Sequence, residues 1–382
     1  MMIYFDNSAT TKPYRQVLDS FIKVSEEFYG NPSSLHKIGG QAEKLLQQAR
    51  SQIARLLKVK ETEILFTSGG TESNNLAIKG IAAAHRQRGR HIITTSMEHA
   101  SVHNAIVQLE SLGYDITYVK PNSHGIISAE SIQNELRDDT ILVSVMHVNN
   151  EVGTIQPIEE IGMVLKSFPK AFFHVDFVQG IGKVPLNLSN SGVHLATISG
   201  HKFHGLKGTG ALFVKEGVLL SPLLSGGNQE GKLRSGTENV AGMVAMAKAL
   251  RMTMELREEK LNQMKSAMGK LRNGISQIKE LTIHTPEKNS APHILNFSIR
   301  GWKAETFVHA LEAKNIFVST TSACSSRKKA ASRTLLEMGV PIADAESAIR
   351  VSLTYSNTEE EAEIVVKAIA DTVKQLSEVI KK

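Results

Sequence analysis

The sequence LATISGHK, residues 195–202, passes directly from an apolar run into a small polar segment that contains one glycine. The apolar run predicts a buried strand, and Gly200 marks the turn that ends it. Lys202 therefore lies at a strand end, poorly hydrated and between two imidazoles, His201 and His204. These surroundings favour the neutral amine, which forms Schiff bases with carbonyl groups. The stretch predicts a buried sheet with a reactive lysine at its edge.

A second apolar run, FFHVDFVQ at residues 172–179, places Asp176 at the end of another strand. A lysine alone at a strand end is usually a solvated surface charge, and an aspartate alone at such a position is usually a helix cap. Taken together on neighbouring strands, they match the needs of pyridoxal 5'-phosphate (PLP): an amine for its aldehyde and an anion for its ring nitrogen. The pair predicts a PLP site.

A glycine turn between a strand and a helix provides a candidate phosphate site. Residues 64–66 are apolar, Ser68-Gly69-Gly70-Thr71 form the turn, and an apolar helical stretch follows. Free backbone N–H groups at a helix start bind anions, and glycines let the backbone approach closely. The spacing is neither that of a dinucleotide fingerprint nor that of a Walker loop. A plain turn remains the alternative for this motif alone.

Strand-like and helical segments alternate from residue 64 to residue 214, which predicts an α/β fold with a mainly parallel sheet covered by helices. Polar residues at the carboxyl ends of such strands share one crevice. We expect Asn150, Asp176, Gln179 and Lys202 to meet there. His99, at a helix start, is either satisfied by backbone groups or stacks on an aromatic cofactor.

Length and composition restrict the classes of protein to which the chain can belong. With 382 residues, 41% hydrophobic and 21% charged, the chain reads as a soluble protein of two domains. No apolar run is long enough for a transmembrane helix, and no signal peptide is recognisable, so we expect a cytoplasmic protein. The net charge of +6 is dispersed, which argues against nucleic-acid binding. The histidines lack ligand spacing, so no metal site is expected.

Cys324 is the single cysteine of the chain, which excludes an internal disulfide. Its surroundings, residues 319–329, are small and polar, so a core-filling role is the weaker interpretation. The cluster Arg327-Lys328-Lys329 favours the thiolate, the nucleophilic form. We expect a reactive thiol on a loop.

A stripe of apolar residues repeats every three or four positions from Leu261 to Ile278 and predicts a long, core-facing helix. Such a helix links a large domain to a smaller one, and we place the boundary near residue 257. Strand-like runs at residues 294–299, 316–319 and 349–353 follow, with helices between them.

The motifs together resemble the cysteine desulfurases of the NifS/IscS group, which are fold-type I PLP enzymes. The resemblance runs almost end to end and rests on these segments: 4–11 (YFDNSATT), 30–34 (GNPSS), 67–75 (TSGGTESNN), 146–151 (MHVNNE), 199–202 (SGHK), 234–237 (RSGT) and 322–324 (SAC). It implies a seven-stranded sheet in a large PLP-binding domain, residues 15–256. Residues 1–14 and 257–382 would form a smaller α+β domain that carries the Cys324 loop.

The resemblance also implies a role for each matching residue. Lys202 would bind the cofactor covalently, Asp176 would face the ring nitrogen, and His99 would stack on the ring and handle protons. Asn150 and Gln179 would contact the ring's hydroxyl edge. The phosphate would be held by Gly70, Thr71, Ser199 and His201, and by Thr237 of the neighbouring subunit, which implies a homodimer.

The implied reaction converts L-cysteine to L-alanine. Arg350 would hold the substrate carboxylate with Asn31 nearby. Cys324 would take the sulfur as a persulfide and pass it to an acceptor protein, either a tRNA-thiolation enzyme or an iron–sulfur scaffold. Other fold-type I PLP enzymes, a selenocysteine lyase or an aminotransferase, are the alternatives, and a silent sulfur-relay partner is a third. Intact Lys202, Asp176 and His99 argue against the silent partner.

Three departures from the family pattern bear on the acceptor. Phe177 stands where the family usually has alanine, the basic cluster 327–329 replaces the usual residues after the cysteine, and the chain ends soon after its last predicted helix. We therefore expect a specialised sulfur donor, for tRNA thiolation or another thio-cofactor, rather than a general iron–sulfur supplier. The basic cluster would dock an acidic acceptor.

Overall fold

The computed structural model describes residues 2–320 and 331–380, and side chains only up to residue 376. Cys324 and the basic cluster 327–329 lie outside the described residues, so the predictions about them stay predictions. In the part that is described, no helix is long and apolar enough to cross a membrane.

The strands are β1 (Ile3–Tyr4), β2 (Ile64–Thr67), β3 (His91–Thr95), β4 (Asp115–Val119), β5 (Thr140–Met146), β6 (Phe172–Asp176), β7 (Leu195–Ser199), β8 (Gly210–Val214), β9 (Leu281–Ile283), β10 (Ile294–Ile299), β11 (Ile316–Phe317), β12 (Ser319–Thr320) and β13 (Ala348–Ser352). The helices are α1 (Arg15–Glu27), α2 (Lys37–Leu57), α3 (Gly70–His85), α4 (Ala100–Ser111), α5 (Ala129–Glu135), α6 (Ile158–Leu165), α7 (Val240–Ser276), α8 (Ala304–Glu312), α9 (Arg333–Glu337), α10 (Ile342–Glu346) and α11 (Glu359–Ile380).

The central sheet has the order β2-β8-β7-β6-β5-β3-β4. Strand β8 is antiparallel to both of its neighbours, and the other pairs are parallel. The predicted mainly parallel, seven-stranded sheet is therefore confirmed. Strands β5, β6 and β7 lie side by side, so their carboxyl ends share one edge.

Helices cover both faces of this sheet because its central strands carry apolar residues on both sides. In β7, Leu195 packs into a cluster with α3 and α4, whereas Ala196 and Ile198 pack into the opposite cluster with α2 and α7. Burying each isoleucine or leucine side chain stabilises the fold by roughly 1.5–3 kcal/mol. The two clusters fix the plane of β7 and thereby the position of its end.

A second core lies around the antiparallel sheet β12-β13-β10-β9. Ile3 and Phe5, from the start of the chain, are buried in it. Helix α7 contributes to both cores, with Leu250 in the first and Leu271 in the second. It continues unbroken through residue 257, and the predicted division into domains 15–256 and 1–14 with 257–382 stays a prediction.

Two local predictions need correction. The run 316–319 forms two short strands in different sheets, because β11 pairs with β1 and β12 pairs with β13. The polar loop 30–34 directly precedes the predicted helix that carries Ala42 to Leu56 and is expected to cap it, but α2 is capped by His36, whose Nδ1 accepts the Gly39 N–H at 3.2 Å. An imidazole nitrogen replaces the usual hydroxyl or carboxylate cap there.

Candidate active site

A pocket of about 640 Å³ opens at the carboxyl ends of β5, β6 and β7. Asp176, the last residue of β6, pairs with Thr197 on β7, and Lys202 follows β7 after one tight turn. The predicted residues that line this pocket are Gly70, Thr71, His99, Asn150, Asp176, Gln179, Ser199, His201, Lys202 and Arg350. Residues from both cores meet here.

The Lys202 amine lies against the start of the chain. Its Nζ donates to the backbone carbonyls of Ser8 at 2.6 Å and Ala9 at 2.8 Å. The turn that delivers it needs a glycine, because a Cβ on Gly200 would come within 2.2 Å of the Thr209 hydroxyl. The loop at residues 6–11 is thus part of the pocket wall, which its sequence alone gives no reason to expect.

Asp176 is buried and its carboxylate is held by two donors. Oδ2 accepts from the Asn74 amide at 2.8 Å, and Oδ1 accepts the Val178 N–H at 3.1 Å. The same Asn74 amide nitrogen donates to the Ser101 hydroxyl at 2.8 Å. Because Asn74 lies on α3, the helix that begins at the glycine turn also helps to fix the aspartate.

His99 caps α4, and its protonation state follows from its contacts. Nδ1 accepts the Ser101 N–H at 3.2 Å and lies 2.8 Å from the Ser101 hydroxyl. A backbone N–H only donates, so Nδ1 carries no proton and the neutral ring carries its proton on Nε2. Burial lowers the pKa of His99, which favours this neutral form although Asp176 opposes the shift. Asn74 and Ser101 thereby link Asp176 to His99.

The glycine turn before α3 forms an anion cradle. Gly69 has φ +149°, a conformation that L side chains rarely adopt, and α3 begins at Gly70. The helix start supplies N–H groups without intrahelical acceptors and a positive dipole end. Ser199, His201 and Lys207 line the same concavity. The predicted phosphate residues are therefore adjacent in space.

Arg350, on β13, approaches the pocket from the second core. It is 6% exposed, and its guanidinium forms an ion pair with Asp6 at 3.1 Å and donates to the Asn150 carbonyl at 2.8 Å. Its Nε has no hydrogen-bond partner among the described residues. A buried guanidinium with an unused N–H can bind an anion entering the pocket.

Asn31 and Thr237 do not line this pocket in the single chain. Asn31 is exposed in the loop between α1 and α2, where its Oδ1 accepts the Ser33 N–H at 2.9 Å. Thr237 is exposed in the segment that leads into α7. Their predicted roles stay predictions.

Sequence reasoning missed Asn74, Ser101 and Lys183. Lys183 is buried, and its Nζ donates to the Lys202 carbonyl at 2.9 Å. Burial, together with the charge of Lys202, lowers the pKa of Lys183 to about 7. Asn74 lies one helical turn beyond Gly70, so the glycine-turn motif was the signal that could have indicated it.

Comparison with known proteins agrees with this geometry. The family model for class-V aminotransferases matches residues 3–365. The chain is 47% identical over 380 residues to the NifS/IcsS protein homolog of Lactobacillus delbrueckii subsp. bulgaricus, covering 99% of both chains. It is 42% identical over 377 residues to the putative cysteine desulfurase IscS 1 of Bacillus subtilis, covering 98% of this chain and 99% of that protein. A solved NifS-like protein superposes with a TM-score of 0.92 at 39% identity, covering 98% of this chain and 100% of the other.

Proposed function

Because the chain belongs to the class-V aminotransferase family, and within it to the NifS/IscS group of cysteine desulfurases, we propose that it uses PLP to convert L-cysteine to L-alanine. The observation that carries the proposal is the convergence of Lys202 and Asp176 on one pocket. Purified protein given PLP and L-cysteine is expected to release alanine. Formation of a keto acid instead would favour an aminotransferase.

The residues of the pocket fit the groups of the cofactor. The Lys202 amine suits its aldehyde, the fixed Asp176 carboxylate suits its ring nitrogen, and the cradle at Gly70 suits its phosphate. The Oε1 atom of Gln179 is buried without a hydrogen-bond partner among the described residues, although its Nε2 donates to the Ser8 carbonyl at 3.0 Å. An acceptor left unsatisfied in the pocket supports a ligand with a donor there.

When bound, PLP supplies an electron sink that weakens bonds at the substrate's α- and β-carbons. Asp176, fixed by Asn74, would keep the ring nitrogen protonated. His99 presents a flat neutral ring whose Nε2–H can donate a hydrogen bond, and in this tautomer Nε2 has no lone pair with which to take a proton. Lys202 is then the group in the pocket suited to move the α-proton. Asn150 and Gln179 would bind the hydroxyl edge.

Sulfur transfer is assigned to Cys324. Its thiolate would attack the substrate sulfur, so that an S–S bond forms while the Cβ–S bond breaks. The electron pair of the broken bond stays with the carbon, which takes a proton to give alanine. One cysteine and one enzyme thiol thus yield one alanine and one persulfide, with no external oxidant. An acceptor protein would remove the persulfide sulfur.

A homodimer belongs to the same proposal. Thr237 is exposed here, and the segment that carries it is clamped to its own chain, where the Glu230 carboxylate pairs with Arg50 at 2.6 Å and accepts the Phe66 N–H at 2.8 Å. Arg234 is also paired, with Glu72 at 2.9 Å. A clamped but outward-facing Thr237 suits contact with the phosphate site of a partner subunit.

Replacing Asp176 by asparagine is expected to lower kcat by roughly 100-fold, because an uncharged amide no longer favours a protonated ring nitrogen. Size and the contact to Val178 are nearly conserved, so the protein should still fold and bind PLP. Steady-state alanine formation measures the effect, with Asp138→Asn, an exposed position, as the matched control. Unchanged kcat in Asp176→Asn would contradict the assignment.

Replacing Arg350 by lysine is expected to raise KM for L-cysteine by about 10–100-fold, with a smaller change in kcat, because a single ammonium cannot bind a carboxylate bidentately. Asp6→Asn is the control, since it weakens the ion pair but keeps the guanidinium. Equal increases of KM in both variants would assign Arg350 a structural role instead.

A further inference from the structure

We propose that Glu98 is a positioning residue of this pocket that works as an uncharged carboxylic acid, tying the ends of β3 and β5 together beside His99. Neither the sequence motifs nor the reaction assigned above uses this side chain. The inference rests on the proposed function only for the identity of the ligand in the pocket.

The contacts of Glu98 join three structural elements. Its Oε1 accepts the Thr95 hydroxyl at 2.8 Å, at the end of β3, and the Met146 N–H at 2.9 Å, at the end of β5. His99, the cap of α4, is the next residue in the chain. The carboxyl group therefore holds two strand ends together directly before His99, the residue that caps α4.

Glu98 is 7% exposed and lines the pocket, and its Oε2 has no hydrogen-bond partner among the described residues. An ionised carboxylate needs donors on both oxygens, so a buried Oε2 without a donor disfavours the ionised form. In the neutral acid the proton lies on Oε2, because Oε1 accepts both hydrogen bonds. The Oε2 hydroxyl then has no acceptor among the described residues, and an acceptor on a ligand that fills the pocket would satisfy it.

The surrounding charges agree with a neutral acid. The charged groups that face Glu98 are Asp176 on β6, which opposes its ionisation, and Arg333 on α9, which favours it. Burial lowers the pKa values of both histidines on this side, His99 and His103, so neither supplies a stable positive charge. Burial outweighs the other influences and raises the pKa of Glu98 to about 8.

Keeping Glu98 protonated in the folded chain lowers the stability of the protein at neutral pH. The pKa of Glu98 lies near 8 in the folded chain, against an ordinary value of 4.5, so the folded chain keeps a proton that the unfolded chain releases. The contribution of Glu98 to stability is therefore fully present below about pH 4.5 and is lost as the pH rises toward 8. A side chain that stays uncharged at every pH avoids this loss.

The test compares Glu98→Gln with wild type, using the full chain with saturating PLP. Glutamine keeps an Oε1 acceptor and is permanently uncharged. We expect its Tm to exceed that of wild type by about 3–6 °C at pH 7.5 and the difference to shrink toward pH 5. The infrared carbonyl band of protonated carboxylic acids should be present in wild type at pH 7. Its intensity should be lower in Glu98→Gln by the contribution of one carboxyl group.

A second variant at Glu98 separates the effect of the charge from that of the hydrogen-bond acceptor, and a variant at Glu63 is the control. Glu98→Met is also uncharged but lacks the acceptor, so its PLP Kd should rise about tenfold while that of Glu98→Gln stays close to wild type. If Glu98→Gln does not fold, the pH dependence of the Tm of Glu98→Met serves in its place. Glu63→Gln is the matched control, because both Glu63 oxygens accept backbone N–H groups, at 2.8 and 3.0 Å, and its Tm should fall.

The inference would be overturned if the Tm difference between Glu98→Gln and wild type stayed constant from pH 5 to pH 8. It would also be overturned if the two proteins had equal intensity in the protonated-carboxyl infrared band. Neither measurement depends on turnover. The two failures are therefore distinguishable. If only the proposed reaction is wrong, alanine does not form but the pH-dependent Tm difference remains.

Discussion

Replacing Cys324 by alanine is expected to abolish both sulfide and alanine release from L-cysteine, while the protein keeps its yellow, PLP-bound colour. Alanine forms only if the sulfur leaves without the electron pair of the Cβ–S bond, which requires a nucleophile to take the sulfur, and the proposed nucleophile on the enzyme is the Cys324 thiolate. The residues proposed to bind PLP, including Lys202 and Asp176, are unchanged by the substitution. The measurement is the rate of both products with a thiol reductant present, together with the visible spectrum.

Ser325→Ala is the matched control, since it removes one small polar group from the same segment and leaves the thiol in place. It should keep most of the activity. Full alanine release by Cys324→Ala would make the cysteine a bystander. The chain would then be another PLP enzyme, a selenocysteine lyase or an aminotransferase.

Replacing Lys202 by alanine is expected to remove the covalent bond to PLP and to lower kcat by roughly 10²–10⁴-fold. Two functions would be lost together, because the same amine is proposed both to bind the aldehyde and to move the α-proton. PLP would still bind by its phosphate at the start of α3 and by its ring nitrogen at Asp176. Borohydride reduction followed by mass spectrometry detects whether PLP is attached to the protein.

Lys166→Ala, at an exposed position after α6, is the control for a lost lysine and should behave as wild type. The assignment of Lys202 would be wrong if Lys202→Ala still became covalently labelled and turned over at the wild-type rate. Lys183, whose Nζ touches the Lys202 carbonyl, would then be the first residue to examine.

The sheet and the meeting of the site residues were predictable because local patterns determine them. Apolar runs at residues 172–176 and 195–199 predict buried strands, and the rule that parallel strands end at one edge brings Asp176 near Lys202. The glycine turn predicts the start of α3. Each of these inferences needs only neighbouring residues and one general rule about parallel sheets.

The supporting contacts were not predictable, because they join residues far apart in the chain. Asn74 reaches Asp176 across 102 positions, and Asp6 pairs with Arg350 across 344. Periodicity indicates that a residue is buried, but it does not indicate which distant group the residue touches. The neutral tautomer of His99 likewise follows from a cap that only the folded chain defines.

The most direct test of the account is a single turnover with L-cysteine in the absence of reductant and acceptor, followed by mass analysis of the protein. We expect one alanine per active site and a mass increase of one sulfur atom on the peptide that contains Cys324. The added mass should disappear when a thiol reductant is added. Alanine formed without any sulfur on the protein, or sulfur on a peptide without Cys324, would contradict it.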